Sequence, residues 1–118
     1  MTKDTDNTIL TVENVSKTFR FKDADPIVAL SPTDLSVSKG EFVSIIGPSG
    51  CGKSTLFNII GGLLPTDTGR VAVNGQEING PDTRIGMVFQ EESTFGWRTV
   101  EQNIAYGLRC RGDARGEI

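Results

Sequence analysis

The sequence has no long apolar run and no excess of basic residues. No stretch approaches the roughly 18 consecutive apolar residues that a membrane-spanning segment needs, and the first seven residues contain no apolar signal-peptide core. Lysine and arginine together number 12, against 15 aspartates and glutamates, which gives a net charge of −3. That balance argues against general nucleic-acid binding. We therefore expect a chain that stays in the cytosol and has no nucleic-acid partner.

Cysteine is scarce and histidine is absent. The two cysteines, Cys51 and Cys110, are badly placed for a structural disulfide, so a reducing compartment is expected. Neither internal repeats nor low-complexity segments are found. The 118 residues are enough for one small domain with a core. Residues 1–7 are polar and are expected to form a disordered tail.

The most informative stretch is GPSGCGKST, from Gly47 to Thr55. Two glycines separated by four residues, followed by lysine and a hydroxyl residue, form the pattern that cradles phosphates. Residues 42–46 before it have the composition of a strand buried on both faces, and residues 56–60 after it continue in helical spacing. Strand, glycine loop and helix together are the P-loop arrangement. The alternative, a glycine-rich turn capping an ordinary helix, does not account for the full pattern.

Each residue type in this loop suits the binding of a nucleoside triphosphate. Gly50 and Gly52 accept backbone angles that let successive amides turn toward a phosphate, and the helix N-terminus adds a positive dipole end. Lys53 is expected to bridge the β- and γ-phosphates, Ser54 to ligate Mg²⁺, and Thr55 to reach the α-phosphate. The predicted phosphate-binding residues are Gly47, Ser49, Gly50, Cys51, Gly52, Lys53, Ser54 and Thr55. The thiol within this set is expected to be inert.

Strands are predicted on the N-terminal side of the loop. The opening third is mostly antiparallel β, with strands at 9–15, 27–30 and 35–38. Residues 16–21 either extend the first strand or turn away from it. A charged surface loop is expected at 22–26, and a break between strands at 31–34.

A helix, a hairpin, a strand and a second helix are predicted after the loop. The first helix should run to about Leu63 or Leu64. Asn74-Gly75 predicts a type I′ turn between strands at 70–73 and 76–78. Residues 85–89 are a second apolar strand that ends in Gln90. Residues 99–108 predict a helix capped by Thr99, with an apolar stripe of Val100, Ile104 and Leu108.

Two segments besides the P-loop resemble the ATP-binding subunits of ABC transporters. The segment GMVFQ, ending in Gln90, is similar to the family's Q-loop and lies at a family-like distance after Lys53. The segment VSKTF, ending in Phe19, resembles the one whose aromatic residue stacks on adenine. The continuation after the Q-loop looks most like importers for nitrate, sulfonate, taurine and related anions, although Gly96 stands where a proline is common. The resemblance runs from about Ile9 to Gly112.

This resemblance implies an α/β fold, namely a P-loop NTPase whose RecA-like core is incomplete here and is joined to an N-terminal antiparallel β subdomain. Residues 8–118 would be the N-terminal part of an ABC ATP-binding domain, and residues 91–118 would begin its helical subdomain. The implied ligands are ATP and Mg²⁺.

The resemblance also assigns roles to single residues. Lys53 and Gln90 would be catalytic, and Ser54 and Gln90 would contact Mg²⁺. Phe19 would stack on adenine, with Phe21 as the alternative. Phe95 and Trp97 are either core residues or the border of a groove that receives a helix of the permease.

The implied protein is an ATPase peripheral to the cytoplasmic face of the inner membrane. It would pair with a second ATP-binding subunit and drive import of a small solute through a transmembrane permease. A periplasmic solute-binding protein would be an indirect partner.

Three family features are missing from the sequence. We find no apolar strand that ends in aspartate followed by glutamate, no signature like Leu-Ser-Gly-Gly-Gln, and no switch histidine. The chain therefore reads as the first half of an ATP-binding subunit, expected to be marginally stable, prone to aggregation and inactive in hydrolysis alone. A non-catalytic nucleotide-binding module, complete as given, is the alternative. A small P-loop kinase is disfavoured because a hairpin follows the helix where an arginine-rich lid is expected.

Overall fold

The computed structural model describes residues 7–48, 50, 52–90 and 93–112. The chain divides after Asp82 into two compact units. Among the described residues, the first unit contains strands β1 (Thr8–Phe21), β2 (Ala24–Ser38), β3 (Thr68–Val73) and β4 (Gln76–Glu77) and helix α1 (Lys53–Ile60). The second contains helix α2 (Val100–Arg111).

The first unit is built on an antiparallel sheet with strand order β2-β1-β3-β4. β1 contains the predicted strand at 9–15, and residues 16–21 extend it to Phe21 instead of turning away, because β1 pairs with β2 along most of its length. The surface loop predicted at 22–26 is only a two-residue turn at 22–23. β2 also runs through the predicted break at 31–34. β2 is an edge strand of the described sheet, and an edge strand tolerates Pro26 and Pro32 because one side of its backbone is not bonded to another described strand.

The predicted hairpin at Asn74-Gly75 is present between β3 and β4. Both turn residues have positive φ, 51° for Asn74 and 78° for Gly75, as a type I′ turn requires. On its other side β3 pairs with β1, where Val71 lies opposite Val12. The middle of the sheet thus has an apolar face.

Helix α1 covers this face. Leu56 and Ile59, three residues apart on one side of α1, are buried with Val12, Val15, Leu30 and Val71. α1 ends at Ile60, earlier than predicted. The amides of Leu63 and Leu64 both bond back to the carbonyl of Asn58, so the chain turns instead of adding another helical turn.

The strands predicted at 42–46 and 85–89 do not form. Phe42 and Ile46 are 92% and 94% exposed, and Val88 is fully exposed. A parallel core strand is stable only between hydrogen-bonded neighbours and under packed faces. None of the four described strands takes either segment as a partner. The described β structure is therefore wholly antiparallel.

Helix α2 has the predicted cap in full. The Thr99 hydroxyl accepts the Gln102 amide, and the Gln102 side chain accepts the Thr99 amide, which is a complete capping box. The predicted stripe does not form a core, because Val100 and Ile104 are exposed and Ala105 is the buried residue of this helix. Among the described residues, neither helix has the length and apolarity needed to span a membrane.

Candidate nucleotide-binding site

The glycine loop leads directly into α1, as the sequence predicts. Gly47, Gly50 and Gly52 belong to the described residues, whereas the predicted ligands Ser49 and Cys51 lie outside them. Lys53 is the first residue of the helix. The loop thus connects a segment without regular structure to the N-terminus of a helix that is anchored in the core.

Lys53 closes this loop. Its ammonium group donates a hydrogen bond to the carbonyl of Gly47, and the contact is partly buried. The first and last parts of the motif are therefore joined by the side chain that is predicted to bind phosphate. A carbonyl is a neutral acceptor, so this hydrogen bond does not neutralise the positive charge of Lys53, and that charge can still attract an anion.

Gly52 allows the loop to approach the sheet closely. Its φ is +97°, and a Cβ on it would lie 2.6 Å from the Ala29 carbonyl oxygen and 3.1 Å from Leu30 Cδ1. Gly50 also has a positive φ, +84°, but a Cβ there would meet nothing within 4 Å. The two glycines therefore serve different purposes. Gly50 permits the turn of the loop, and Gly52 in addition permits contact with β2.

The N-terminus of α1 suits an anion. The first helical bond joins the Leu56 amide to the Gly52 carbonyl at 2.9 Å, so the amides before Leu56 have no acceptor within the helix. Gly52 supplies no side-chain cap, and the first turn contains no acidic residue. Ser54 is exposed and Thr55 is half-buried. The amides at the start of α1 and the hydroxyls of Ser54 and Thr55 are hydrogen-bond donors suited to phosphate, and the helix dipole adds a partial positive charge.

Phe19 lies on the strand next to the one that contacts this loop. In the register of β1 and β2, Lys17 is opposite Leu30, the residue that approaches Gly52, and Phe19 follows two positions later, opposite Ile27. Its ring is 37% exposed, and the Lys17 ammonium lies 5.8 Å from the ring centroid. Phe21, the alternative, pairs with Ala24 at the far end of the hairpin. Position along the strand favours Phe19.

Gln90 belongs to the second unit, where it is exposed. Its predicted contact with Mg²⁺ remains a prediction, because Lys53 and Ser54 belong to the first unit. Trp97, which follows in the same unit, is 80% exposed and is no core residue of the described chain. Phe95 is half-buried and lies between Trp97 and Tyr106, with centroid distances of 5.2 and 4.7 Å.

Sequence reasoning missed two residues that organise the chain near these positions. The Asn103 side chain accepts the Phe95 amide at 2.8 Å and donates to the carbonyls of Phe95 and Thr99, so it holds the loop that carries Trp97. Asp67 accepts the amide of Thr18 at 2.7 Å. An asparagine inside a predicted helix is a weak signal for such a role. Asp67 gave no signal, because its partner lies far away in sequence.

Comparisons with known proteins agree with the motif. A family model described as ABC transporter matches residues 30–117. The taurine import ATP-binding protein TauB of Ruegeria pomeroyi is 41% identical over 87% of this chain and 38% of its own length. The aliphatic sulfonates import ATP-binding protein SsuB of Bacillus licheniformis is 51% identical over 72% of this chain and 33% of its own. The chain thus spans well under half the length of these relatives.

A comparison with solved structures also finds an ATP-binding cassette. An ATP-binding cassette in a dimeric, post-hydrolysis state with bound ADP and Pi superimposes with a TM-score of 0.78 at 36% identity. That alignment covers 92% of this chain and 51% of the cassette. The similarity therefore extends over nearly the whole chain.

Proposed function

This chain belongs to the ABC transporter family and has the α/β fold of its ATP-binding cassettes, and from that premise we propose that it is the nucleotide-binding part of an importer's ATP-binding subunit. The observation that carries the proposal is the glycine loop, which Lys53 closes onto Gly47 and which Gly52 seats against β2. A loop of this kind holds phosphates through main-chain amides, the helix dipole and the lysine. The ligand is ATP with Mg²⁺.

The residues present fit this ligand. The Lys53 ammonium bonds the neutral carbonyl of Gly47, so moving it to the terminal phosphates costs a hydrogen bond and not an ion pair. Mg²⁺ usually keeps several waters and takes one or two protein ligands together with substrate phosphates. The exposed Ser54 hydroxyl at the start of α1 supplies such a ligand, and Gln90 is proposed as the second contact. Phe19 stacks on the adenine ring.

We propose that the complete protein hydrolyses ATP to import a small solute such as nitrate, a sulfonate or taurine. Relatives similar in sequence include proteins named for import of taurine and of aliphatic sulfonates. A third, from Synechococcus elongatus, is named for bicarbonate transport and is 50% identical over 82% of this chain. These solutes are small and ionic. The working assembly pairs two ATP-binding subunits with a transmembrane permease and, indirectly, a periplasmic solute-binding protein, at the cytoplasmic face of the inner membrane.

Trp97 is proposed to contact the permease. Its indole is exposed at the end of a loop that Asn103 holds in place, so the aromatic surface is available to a partner. Trp97→Ala should weaken assembly with the permease and leave nucleotide binding intact. Equal loss of assembly and nucleotide binding would contradict this role.

The 118 residues alone are proposed to bind Mg·ATP without turning it over. The sequence has no aspartate-glutamate strand end to supply a base, no signature segment and no histidine. Phosphate release should therefore remain at the background rate of the buffer. The alternative, a non-catalytic nucleotide-binding module, predicts that coding sequence downstream of residue 118 contains none of these three features.

Calorimetry with the folded chain tests the proposal. Mg·ATP should bind to the wild type, and Lys53→Ala should weaken binding at least about 10-fold because a charge-assisted phosphate contact is lost. Lys39→Ala is the matched control, since it removes an exposed lysine in the turn after β2. Absence of Mg·ATP binding by the wild type, or equal affinities of the wild type and Lys53→Ala, would refute the proposal.

A further inference from the structure

We propose that Asp67 is a positioning residue that fixes the strand segment carrying Phe19 and so presents the Phe19 ring to adenine. The inference rests on the proposed function, because it concerns the base-binding part of the same site. Asp67 itself is not proposed to contact the ring or the nucleotide. It acts through the backbone of β1.

Asp67 binds three consecutive residues of β1. Its own amide donates to the Ser16 carbonyl at 2.9 Å. Its Oδ2 accepts the Thr18 amide at 2.7 Å, and its Oδ1 lies 3.4 Å from the Lys17 ammonium. Backbone and side chain of one residue thus fix the segment that immediately precedes Phe19.

This segment needs such support because its sheet neighbour ends there. The pairing of β1 with β3 stops at Ser16 opposite Thr68, and from Lys17 onward β1 pairs only with β2. The β1–β2 register is also irregular on both sides of Lys17. A two-stranded ribbon is only marginally stable in water. Asp67 gives the Thr18 amide an acceptor two residues past the last pair between β1 and β3.

The Asp67 carboxylate also positions a lysine over one face of the Phe19 ring. Lys17 is held between Asp67 and Phe19, with its ammonium 3.4 Å from the carboxylate and 5.8 Å from the ring centroid. A cation over one face of an aromatic ring is a favourable contact. Lys17 thus lies over one face of the Phe19 ring, and the side chain of Phe19 is still 37% exposed. Loss of Asp67 releases both the lysine and the backbone below the ring.

Binding of two ligands by the full chain separates this role from general stability. Mg·ATP contains adenine, whereas inorganic tripolyphosphate with Mg²⁺ contains only the phosphate part. Asp67→Ala should weaken Mg·ATP binding about 3- to 10-fold, a fraction of the loss expected from removing a stacking ring, and should leave tripolyphosphate affinity unchanged. Asp67→Asn keeps an oxygen that accepts the Thr18 amide, so it should recover most of the ATP affinity.

Two controls complete the experiment. Asp34 also accepts a β1 amide, that of Asn14 at 2.8 Å, so Asp34→Ala removes a matched hydrogen bond away from Phe19 and should change neither affinity. In a Phe19→Ala background, Asp67→Ala should cause no additional loss, because the two residues act on one contact.

Three results would overturn the inference: no change in ATP affinity with Asp67→Ala, an equal loss for both ligands, or full additivity with Phe19→Ala. Failure of the wild type to bind either ligand would instead refute the proposed function, and this inference with it. Binding of tripolyphosphate and ATP with equal affinity by the wild type would refute the role of Phe19 and therefore that of Asp67.

Discussion

Replacing Gly52 with alanine tests how the phosphate loop is built. The added methyl group would lie 2.6 Å from the Ala29 carbonyl oxygen and 3.1 Å from Leu30 Cδ1. Neither neighbour moves easily, since the first is strand backbone and Leu30 is a buried core residue. The backbone of Gly52 is also at φ +97°, a conformation that residues with a Cβ rarely adopt. The substitution therefore imposes two separate costs.

The magnitudes of these costs can be separated with Gly50. A left-handed conformation costs an L-residue about 1–2 kcal/mol, and an added methyl in a packed region costs about 1–3 kcal/mol more. Gly50→Ala has only the first cost, because its φ is +84° and a Cβ would meet nothing within 4 Å. Gly52→Ala should thus lower the free energy of unfolding by about 2–5 kcal/mol, and Gly50→Ala by about 1–2 kcal/mol.

Urea unfolding followed by circular dichroism measures both variants against the wild type. The unfolding midpoint should fall further for Gly52→Ala, while the slope of free energy against urea stays constant. Equal destabilisation by the two variants would show that Gly52 does not touch β2 in solution. The seating of the loop against the sheet would then be wrong, and with it the geometry on which the nucleotide site depends.

The remaining predictions concern the core, the second helix and pH. Leu56→Ala should lower the free energy of unfolding by about 2–5 kcal/mol because it opens a cavity under α1, whereas Phe57→Ala, at a half-exposed side chain, should cost clearly less in the same urea assay. Thr99→Ala removes the cap of α2 and should lower its helicity in circular dichroism at a cost of about 1 kcal/mol. The Thr18 amide holds the pKa of Asp67 below its ordinary 3.8, so the stability that Asp67 contributes is present above that pH and is lost as pH falls through the lowered pKa. Unfolding midpoints measured from pH 5 down to pH 2 should therefore fall less steeply for Asp67→Asn than for the wild type.

Local signals in the sequence predicted local structure well. The Asn74-Gly75 turn needs two consecutive positive φ values, which this dipeptide accepts, and the hairpin is present. The cap of α2 is made by Thr99 and Gln102, which are three residues apart and bond each other's amides through their side chains. The glycine loop and the start of α1 at Lys53 also follow from a contiguous motif. In each case the stabilising partners lie within a few residues of one another.

Features that depend on distant partners were not predicted. The length of β2 results from its pairing with β1, which carries β2 through part of the predicted loop and through all of the predicted break. Asp67 acts on residues about fifty positions earlier in the chain. The exposure of Val100 and Ile104 likewise depends on what packs against α2, and helical periodicity alone does not contain that information.

The two unformed strands show what an apolar run does and does not specify. The composition of residues 42–46 and 85–89 indicates segments meant to be covered on both faces, so it describes their surroundings rather than a local preference of the backbone. Without neighbours the segments remain irregular and exposed. The phosphate loop does not share this dependence, because Gly52 rests on β2 and α1 rests on the antiparallel sheet. The described residues of the proposed phosphate loop are therefore expected to keep their conformation whether or not those strands acquire partners.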